Sequence, residues 1–384
     1  MLRIRTPLAA GLALGVSLAG SPGPARAQDE ASQTRARMGD IFESVRVLLP
    51  LSVSEERFGA PENRAAVTAA LEALANHADQ LARHARRDDP ERRFLGRSLA
   101  DDARRALERY REGRTDSAAF LVQQATENCI ACHTKLESRG DPPRSQDFVD
   151  RTALAELPPE ERARLLIATR QFDEALATLE SVIDSPGIHP SELLLPIIDY
   201  LVVSIRVKND YDRPLPTLEK LSRRPDLWRQ LQSDVETWIR ALRALRPLRD
   251  QEPELATARR LIGEAQQLVP FPADRRGLVH YVVASSILHR YLDAKPRAPR
   301  DAGEAYYLLG VTELHIDDTF WVSQADFYLE TAIRTAPEEP SADLAFALFE
   351  EATLESYTGS AGVNLPDSVA RRLDELRKLV DEKP

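Results

Sequence analysis

Apolar residues recur every three or four positions through residues 30–138, which is the spacing of one face of an α-helix. The first such stretch predicts a helix over residues 31–49, followed by Pro50 as a helix breaker. Similar stretches follow it and predict helices over residues 62–87, 91–112 and about 115–138. Amphipathic helices with short connections can bury their apolar faces together, so residues 28–138 are predicted to form a four-helix bundle.

Prolines and a glycine interrupt this pattern in residues 139–159, which are predicted to be a linker. Shorter helical stretches then fill residues 160–384. Within them, residues 171–180 are matched 39 residues later by residues 210–219, with aromatic, Asp, Leu and Glu positions in register. Such a repeat predicts stacked helix pairs, because one pair alone cannot bury its apolar face. The matched residues resemble tetratricopeptide repeats, and an irregular helical region is the alternative.

The composition supports helices throughout the chain. The 384 residues are 43% hydrophobic and 29% charged, as expected of a folded globular protein. Aromatic residues make up only 6%, and the abundance of Leu, Ala, Arg and Glu favours helices over strands. The predicted fold class is therefore all-α, a four-helix bundle followed by a solenoid-like helical-repeat domain. A net charge of −10 argues against a general nucleic-acid-binding protein, which needs a basic surface.

Residues 1–27 have the pattern of a cleaved secretory signal peptide. Arg3 and Arg5 precede an apolar stretch over residues 8–19, and Ala25 and Ala27 flank one residue at the predicted cleavage site. The apolar stretch is too short to cross about 30 Å of hydrocarbon as a helix, which disfavours a membrane anchor. Loss of three arginines with the signal would change the net charge from −10 to −13. We therefore expect a periplasmic protein with no membrane span after signal removal.

The strongest chemical signal is the sequence Cys129-Ile130-Ala131-Cys132-His133, the C-x-x-C-H pattern of covalent c-type haem attachment. Two thiols three residues apart can reach the two vinyl groups of one porphyrin, and the next residue can offer its imidazole to the iron. A zinc site would need further ligands at typical spacing, and the chain has no other cysteine. A thioredoxin-like pair would follow a strand, and a structural disulfide would close a very small loop. The motif therefore predicts one covalently attached haem c, with its iron bound by His133.

A C-x-x-C-H motif at the end of a fourth helix resembles the cytochrome c prime family of monohaem four-helix bundles. The resemblance covers about residues 30–138, and it implies that a Met on the first helix binds the iron in low-spin members. Met38 occupies the matching position, so His133 and Met38 are the expected axial iron ligands. Met38 is also the only Met left after signal removal, and it lies on the apolar face of its helix. A space-filling Met is the alternative to a ligand, with His77 and His84 as rival ligands.

These features predict a periplasmic, non-enzymatic monohaem cytochrome that transfers single electrons. The helical-repeat domain is expected to dock a protein redox partner, and the bundle offers a possible homodimer contact. The alternative is a haem-based gas or redox sensor, or a scaffold, with a displaceable sixth iron ligand. A haem peroxidase is disfavoured because no distal acid–base pair can be placed. The C-terminal histidines are interpreted as structural or surface residues: His189, His280, His289 and His315.

Overall fold

The computed structural model describes Ala155 and residues 24–84, 90–135, 157–269, 274–294, 296–316, 324–360 and 362–382. The described residues form sixteen α-helices and one short hairpin that pairs Thr358–Gly359 with Gly362–Val363. The all-α fold class is confirmed. Most of the predicted signal peptide and most of the predicted linker lie outside the described residues.

The N-terminal helices occupy the part of the chain before residue 136. They are α1 (Pro24–Ser52), α2 (Glu55–Gly59), α3 (Arg64–His84), α4 (Pro90–Arg111) and α5 (Thr115–His133). The apolar spacing predicted all of them except α2. The structure extends α1 through Pro50 to Ser52 rather than ending it at Leu49. Proline lacks the N–H that a helix interior needs, and the helix ends two residues later, where the Ser52 hydroxyl donates to the Leu49 carbonyl at 2.9 Å.

Neighbouring N-terminal helices run antiparallel, because contacts that move forward along one helix move backward along the next. Between α1 and α3 the contacts are Arg37–Gln80 and Asp40–His77. Between α3 and α4 they are Asp79–Arg104 and Glu72–Arg111. Between α4 and the end of α5 they are Glu91–Lys135 and Asp102–Asn128. Helix α5 also packs against α1, where the Gln123 side chain donates to the Ser52 carbonyl at 2.9 Å. The four long helices therefore surround a common apolar core.

The short helix α2 closes one end of this core. Its Phe58 is fully buried, and the ring meets that of Tyr110 edge to face at a centroid distance of 5.3 Å. The Tyr110 hydroxyl donates to the Phe58 carbonyl at 3.1 Å. This closure lies near the C-terminal end of α4, so the C-x-x-C-H motif at the end of α5 lies at the opposite end of the core.

The C-terminal helices begin at residue 159. They are α6 (Pro159–Ala168), α7 (Phe172–Asp184), α8 (Leu194–Val202), α9 (Pro214–Leu221), α10 (Arg229–Leu245), α11 (Leu255–Leu268), α12 (Leu278–Ala294), α13 (Pro299–Ile316), α14 (Gln324–Thr335), α15 (Pro340–Ser356) and α16 (Asp367–Asp381). Helix α8 continues into a π-helical turn, Val203–Val207, all of whose residues are buried. Pro159, Pro214 and Pro340 start helices, since the first turn needs no N–H bond. Among the described helices, none combines the length and the apolar character that crossing a membrane requires.

Two chain corners in this region share an unusual backbone conformation. Arg170 and Asn209 both have positive φ angles, 64° and 50°, and they lie 39 residues apart. Each is followed two residues later by a buried aromatic side chain, Phe172 and Tyr211 respectively. The spacing equals the repeat that the sequence shows, so matched positions along the chain adopt matched backbone conformations. The repeated helices themselves, α7 and α9, are in contact.

Candidate functional site

The C-x-x-C-H motif forms the last turn of α5. Cys132 lies three residues after Cys129 and His133 lies four residues after it, so both side chains are neighbours of Cys129 on the helix surface. Both cysteines are half-buried, and neither forms a disulfide bond. Helix α5 ends at His133: the N–H of Thr134 still bonds to the Ile130 carbonyl at 3.0 Å, but the Thr134 backbone has left the helical conformation. The sequence pattern predicts a helix to about residue 138, of which residues 136–138 lie outside the described part of the chain.

Cys129 faces an apolar space inside the N-terminal helices. The lining side chains come from all four long helices and are Val45, Leu48, Leu49, Leu74, Leu99, Val122, Ala125 and Thr126. Burial raises the pKa of the Cys129 thiol to about 12, so this group is a neutral thiol near pH 7. The Cys129 thiol therefore lies in the wall of a small apolar space.

Cys132 lies at a second edge of the same turn. It packs against the pair formed by Leu95 of α4 and Ala131 of α5, together with Phe94. Phe94 in turn stacks on Phe327 of α14, with ring centroids 4.7 Å apart. The two thiols of the motif therefore contact different apolar surfaces, one within the N-terminal helices and one that continues into the C-terminal helices.

His133 is fixed by a single well-placed hydrogen bond. Its Nδ1 atom lies 2.8 Å from the carbonyl oxygen of Ala168, the last residue of α6. A carbonyl oxygen can only accept, so Nδ1 must carry the hydrogen, and the lone pair of Nε2 is left to bind a metal. Burial and the cation of Arg170 lower the pKa of His133 to about 4. The side chain is therefore a neutral imidazole near pH 7, which is the form that binds iron.

Met38 packs from α1 against the same apolar core as Cys129. Val45 of α1 and Cys129 of α5 line one space, and the two helices run antiparallel. Seven residues back along α1 therefore corresponds to about seven residues forward along α5, within about one turn of His133. The structure thus brings Met38 and the motif to the same end of one core. Coordination of iron by the Met38 sulfur stays a prediction.

The rival ligands His77 and His84 lie on α3 at this same end, and both have polar neighbours on α1. The Nε2 atom of His84 lies 2.9 Å from the guanidinium of Arg37, which can only donate, so this nitrogen acts as an acceptor. The Nδ1 atom of His77 lies 3.8 Å from the carboxylate of Asp40. Both histidines therefore lie between α1 and α3, and the choice among Met38, His77 and His84 as sixth ligand stays a prediction.

The opposite face of α5 packs against the C-terminal helices around a polar cavity. Arg164 of α6 forms ion pairs with Glu127 of α5 and with Asp199 of α8, the second at 2.5 Å. Nearby, Arg206 of the π-helical turn pairs with Glu313 of α13 at 2.6 Å, and both side chains are almost fully buried. Sequence patterns did not predict this cavity, because its charged residues lie far apart in the chain and none belongs to a motif.

A second buried polar group joins α4 and α5 to α14. Glu91 accepts hydrogen bonds from Lys135 at 2.9 Å and from the Tyr328 hydroxyl at 2.5 Å. The ring of His289, on α12, meets the Tyr328 ring at a centroid distance of 5.9 Å. Burial, together with the cations of Arg206 and Lys135, lowers the pKa of His289 well below its usual value. His289 is thus a buried neutral residue, which agrees with its interpretation as structural.

Among the described residues, no three His, Cys, Asp or Glu side chains cluster as ligands for a bare metal ion. Comparison with models of protein families, with curated proteins and with solved structures finds no match to this chain.

Proposed function

We propose that this chain is a periplasmic monohaem c-type cytochrome that transfers single electrons. The proposal rests on one observation: the Cys129-x-x-Cys132-His133 turn presents two thiols that are not in a disulfide and a neutral imidazole whose Nδ1 is already hydrogen-bonded. That imidazole offers Nε2 to iron in the correct tautomer. A chance occurrence of the C-x-x-C-H sequence would not require His133 to be neutral and hydrogen-bonded through Nδ1.

In this proposal, the motif and the residues around it would hold a covalently bound haem c. Cys129 and Cys132 would hold it through thioether bonds, and His133 and Met38 would bind its iron. When bound, the haem supplies a one-electron couple, and a thioether ligand favours the ferrous state. The chain's own part is to exclude water with the apolar side chains beside Cys129, which include Val45 and Leu74, and to keep His133 neutral and oriented.

The wider architecture in this proposal has two parts. Helices α1 and α3–α5 form a four-helix bundle that resembles the cytochrome c prime family, and their antiparallel neighbours support it. Helices α6–α16 form a tetratricopeptide-like array, which the matched corners at Arg170 and Asn209 support. We further propose that residues 1–27 direct export and are then removed.

The array would dock a protein redox partner on its concave surface, as stacked helix pairs commonly do. A homodimer through the bundle is the second contact in this proposal. Phe120 of α5 supports it, because this large apolar side chain is 51% exposed on the outer surface of the N-terminal helices.

A second candidate function is a haem-based gas or redox sensor with a displaceable sixth ligand. The observation in its favour is that the hydrogen-bond acceptor for His133 belongs to α6 and not to the N-terminal helices. A movement of His133 caused by a change at the iron would therefore act directly on the C-terminal helices. Absorption spectra of the ferric and ferrous protein, with and without carbon monoxide, separate the two functions, since an electron carrier with both axial ligands in place resists carbon monoxide.

The test of the central proposal is expression in a host that exports proteins and attaches haem c. We expect haem to migrate with the denatured wild-type chain on a stained gel, and to be lost when Cys129 and Cys132 are both changed to Ser. Met38→Leu is the matched control, because it keeps both thiols and must retain covalent haem. Haem that stays with the double variant, or a wild-type chain without haem, would contradict the proposal.

A further inference from the structure

We infer that the corner between α6 and α7 is the positioning element for His133, so that the C-terminal helices set the electron affinity of the iron. This inference rests on the proposed function, because it assigns a role to residues around the same histidine. Its structural basis is the hydrogen bond from Nδ1 of His133 to the Ala168 carbonyl at 2.8 Å. The acceptor lies 35 residues beyond the histidine, in a different group of helices.

The corner is built so that one carbonyl remains free. After the last turn of α6, the Gln171 N–H bonds to the Leu166 carbonyl at 2.8 Å and the Arg170 N–H to the Ile167 carbonyl at 2.9 Å. This is the bond pattern of a Schellman helix end, which satisfies those two carbonyls and leaves that of Ala168 without a partner within the motif. The imidazole of His133 supplies the missing donor.

The corner is also held rigidly. Thr169 and Gln171 are buried, and the Gln171 amide donates to the Thr169 hydroxyl at 3.0 Å. Arg170 adopts a φ of 64°, the left-handed conformation that the Schellman pattern demands and that costs a residue with a Cβ about 1 kcal/mol. This conformation is what turns the chain and fixes the position of the Ala168 carbonyl, so the identity of residue 170 controls the bond to His133.

The chemical consequence follows from the donor role of Nδ1. A carbonyl at the C-terminal end of a helix carries partial negative charge from the helix dipole. A hydrogen bond to such an acceptor makes the imidazole a stronger base and a better donor to the metal through Nε2. Stronger donation stabilises ferric over ferrous iron. A movement of α6 that lengthens this bond would therefore shift the iron towards the ferrous state, which gives a partner docked on the C-terminal helices a direct route to the haem.

The test compares Arg170→Asn with Arg170→Val in the full-length, haem-loaded protein. Both substitutions remove the same charge, but Asn tolerates the left-handed conformation and a β-branched Val does not. We expect the Val variant to favour ferrous over ferric iron about five- to tenfold more than the Asn variant, the size of one lost hydrogen bond. In the Met38→Ala background, the iron–histidine stretching frequency of the ferrous protein should fall for Val and stay unchanged for Asn.

Equal equilibria and equal stretching frequencies in the two variants would overturn the inference. If the Val variant does not fold, the wild-type protein labelled with ¹⁵N-histidine decides the question. Slow solvent exchange of the His133 Nδ1 proton supports the contact, and fast exchange overturns it. This measurement also works on the haem-free chain, so a wild type that lacks covalent haem would refute the proposed function while the contact is still tested on its own.

Discussion

In the proposed cytochrome, Cys129 is the residue at which folding and haem attachment would compete. Thioether formation needs a reactive thiol, yet the folded helices bury Cys129 and raise its pKa to about 12. We therefore predict that iodoacetamide modifies Cys129 in folded apoprotein on the order of a thousandfold more slowly than in urea, since that much less thiolate is present than at a usual pKa of about 8.5. Equal rates would show that the site is open in the folded chain. Slow modification would mean that haem must be attached before the helices close.

In the proposed cytochrome, Met38 is the residue expected to complete the coordination of the iron. Met38→Leu nearly conserves volume, so it should cost less than about 1.5 kcal/mol of stability, whereas Met38→Ala leaves a cavity and costs more. Both should turn the ferric protein high-spin, speed carbon monoxide binding to the ferrous protein and lower its potential. The sulfur-to-iron charge-transfer band expected in the near-infrared spectrum of the wild type should vanish. Variants with an unchanged wild-type spectrum would make Met38 a space-filling residue and return His77 and His84 to consideration.

His289 links the stability of the fold to pH. Its pKa lies well below the usual value of about 6.5, because burial and the cations of Arg206 and Lys135 disfavour its charged form. The stability from this neutral side chain is therefore fully present above pH 6.5 and is lost as the pH falls below it, by up to about 1.4 kcal/mol per pH unit. We predict that His289→Leu loses less stability than the wild type between pH 7 and pH 5 in urea titrations. An identical loss in both proteins would contradict this account.

At the scale of elements, one face of helix α5 was predictable from the sequence and the other was not. Its C-x-x-C-H motif and its apolar positions predicted the face that meets α1, and the structure places Cys129 there. Its second face was not predictable, because Glu127 and Thr134 look like solvent-exposed positions in a polar–apolar pattern. They line a cavity whose other wall comes from helices that begin 25 or more residues later. Periodicity identifies the apolar face that a helix buries. It does not identify polar residues that are buried because they pair with a cation far away in the chain.

The π-helical turn after α8 was also beyond prediction, and it contributes Arg206 to an ion pair whose two side chains are almost fully buried. Arg206 pairs with Glu313, which also accepts from the Ser285 hydroxyl at 3.2 Å. Burial raises the pKa of Glu313, while Arg206 and Ser285 oppose that rise. Removing one partner leaves a buried charge alone, so Arg206→Met should destabilise the protein by about 3–5 kcal/mol in urea titrations.

A second substitution tests whether the loss of stability comes from leaving the Glu313 carboxylate buried without its cation. Adding Glu313→Leu to Arg206→Met should recover much of the loss, because an apolar pair of similar volume replaces both ions. The matched control is Arg260→Met on α11, whose exposed pair with Glu264 should be worth less than about 1 kcal/mol. A double variant no more stable than Arg206→Met would indicate that the π-helical turn itself needs the arginine.

At the scale of the whole molecule, the motif lies where the N-terminal and C-terminal helices meet. Arg164 bridges Glu127 and Asp199, Tyr328 reaches Glu91, and Ala168 holds His133. The proline-rich sequence of residues 139–159 suggests two independent units, and the apolar stripes of α1 and α3–α5 suggest that the first unit is complete. Those patterns describe each unit's own core. Contacts between residues separated by 35 to 237 positions leave no local signature, so the sequence could not show that the two groups share the site.

This shared site leads to a prediction for the N-terminal part expressed alone. A chain of residues 28–140, exported behind the native signal, should fold and attach haem, because four amphipathic helices and the complete C-x-x-C-H motif are present. It lacks the Ala168 carbonyl and Arg164, so the face of α5 that bears Glu127 becomes exposed. We expect covalent haem at the wild-type level, a lower melting temperature, and an equilibrium shifted towards ferrous iron in the same direction as in full-length Arg170→Val. A fragment with the potential and iron–histidine stretching frequency of the full chain would show that the two groups of helices function independently. A fragment that binds haem with both values shifted would show that the C-terminal helices complete the site.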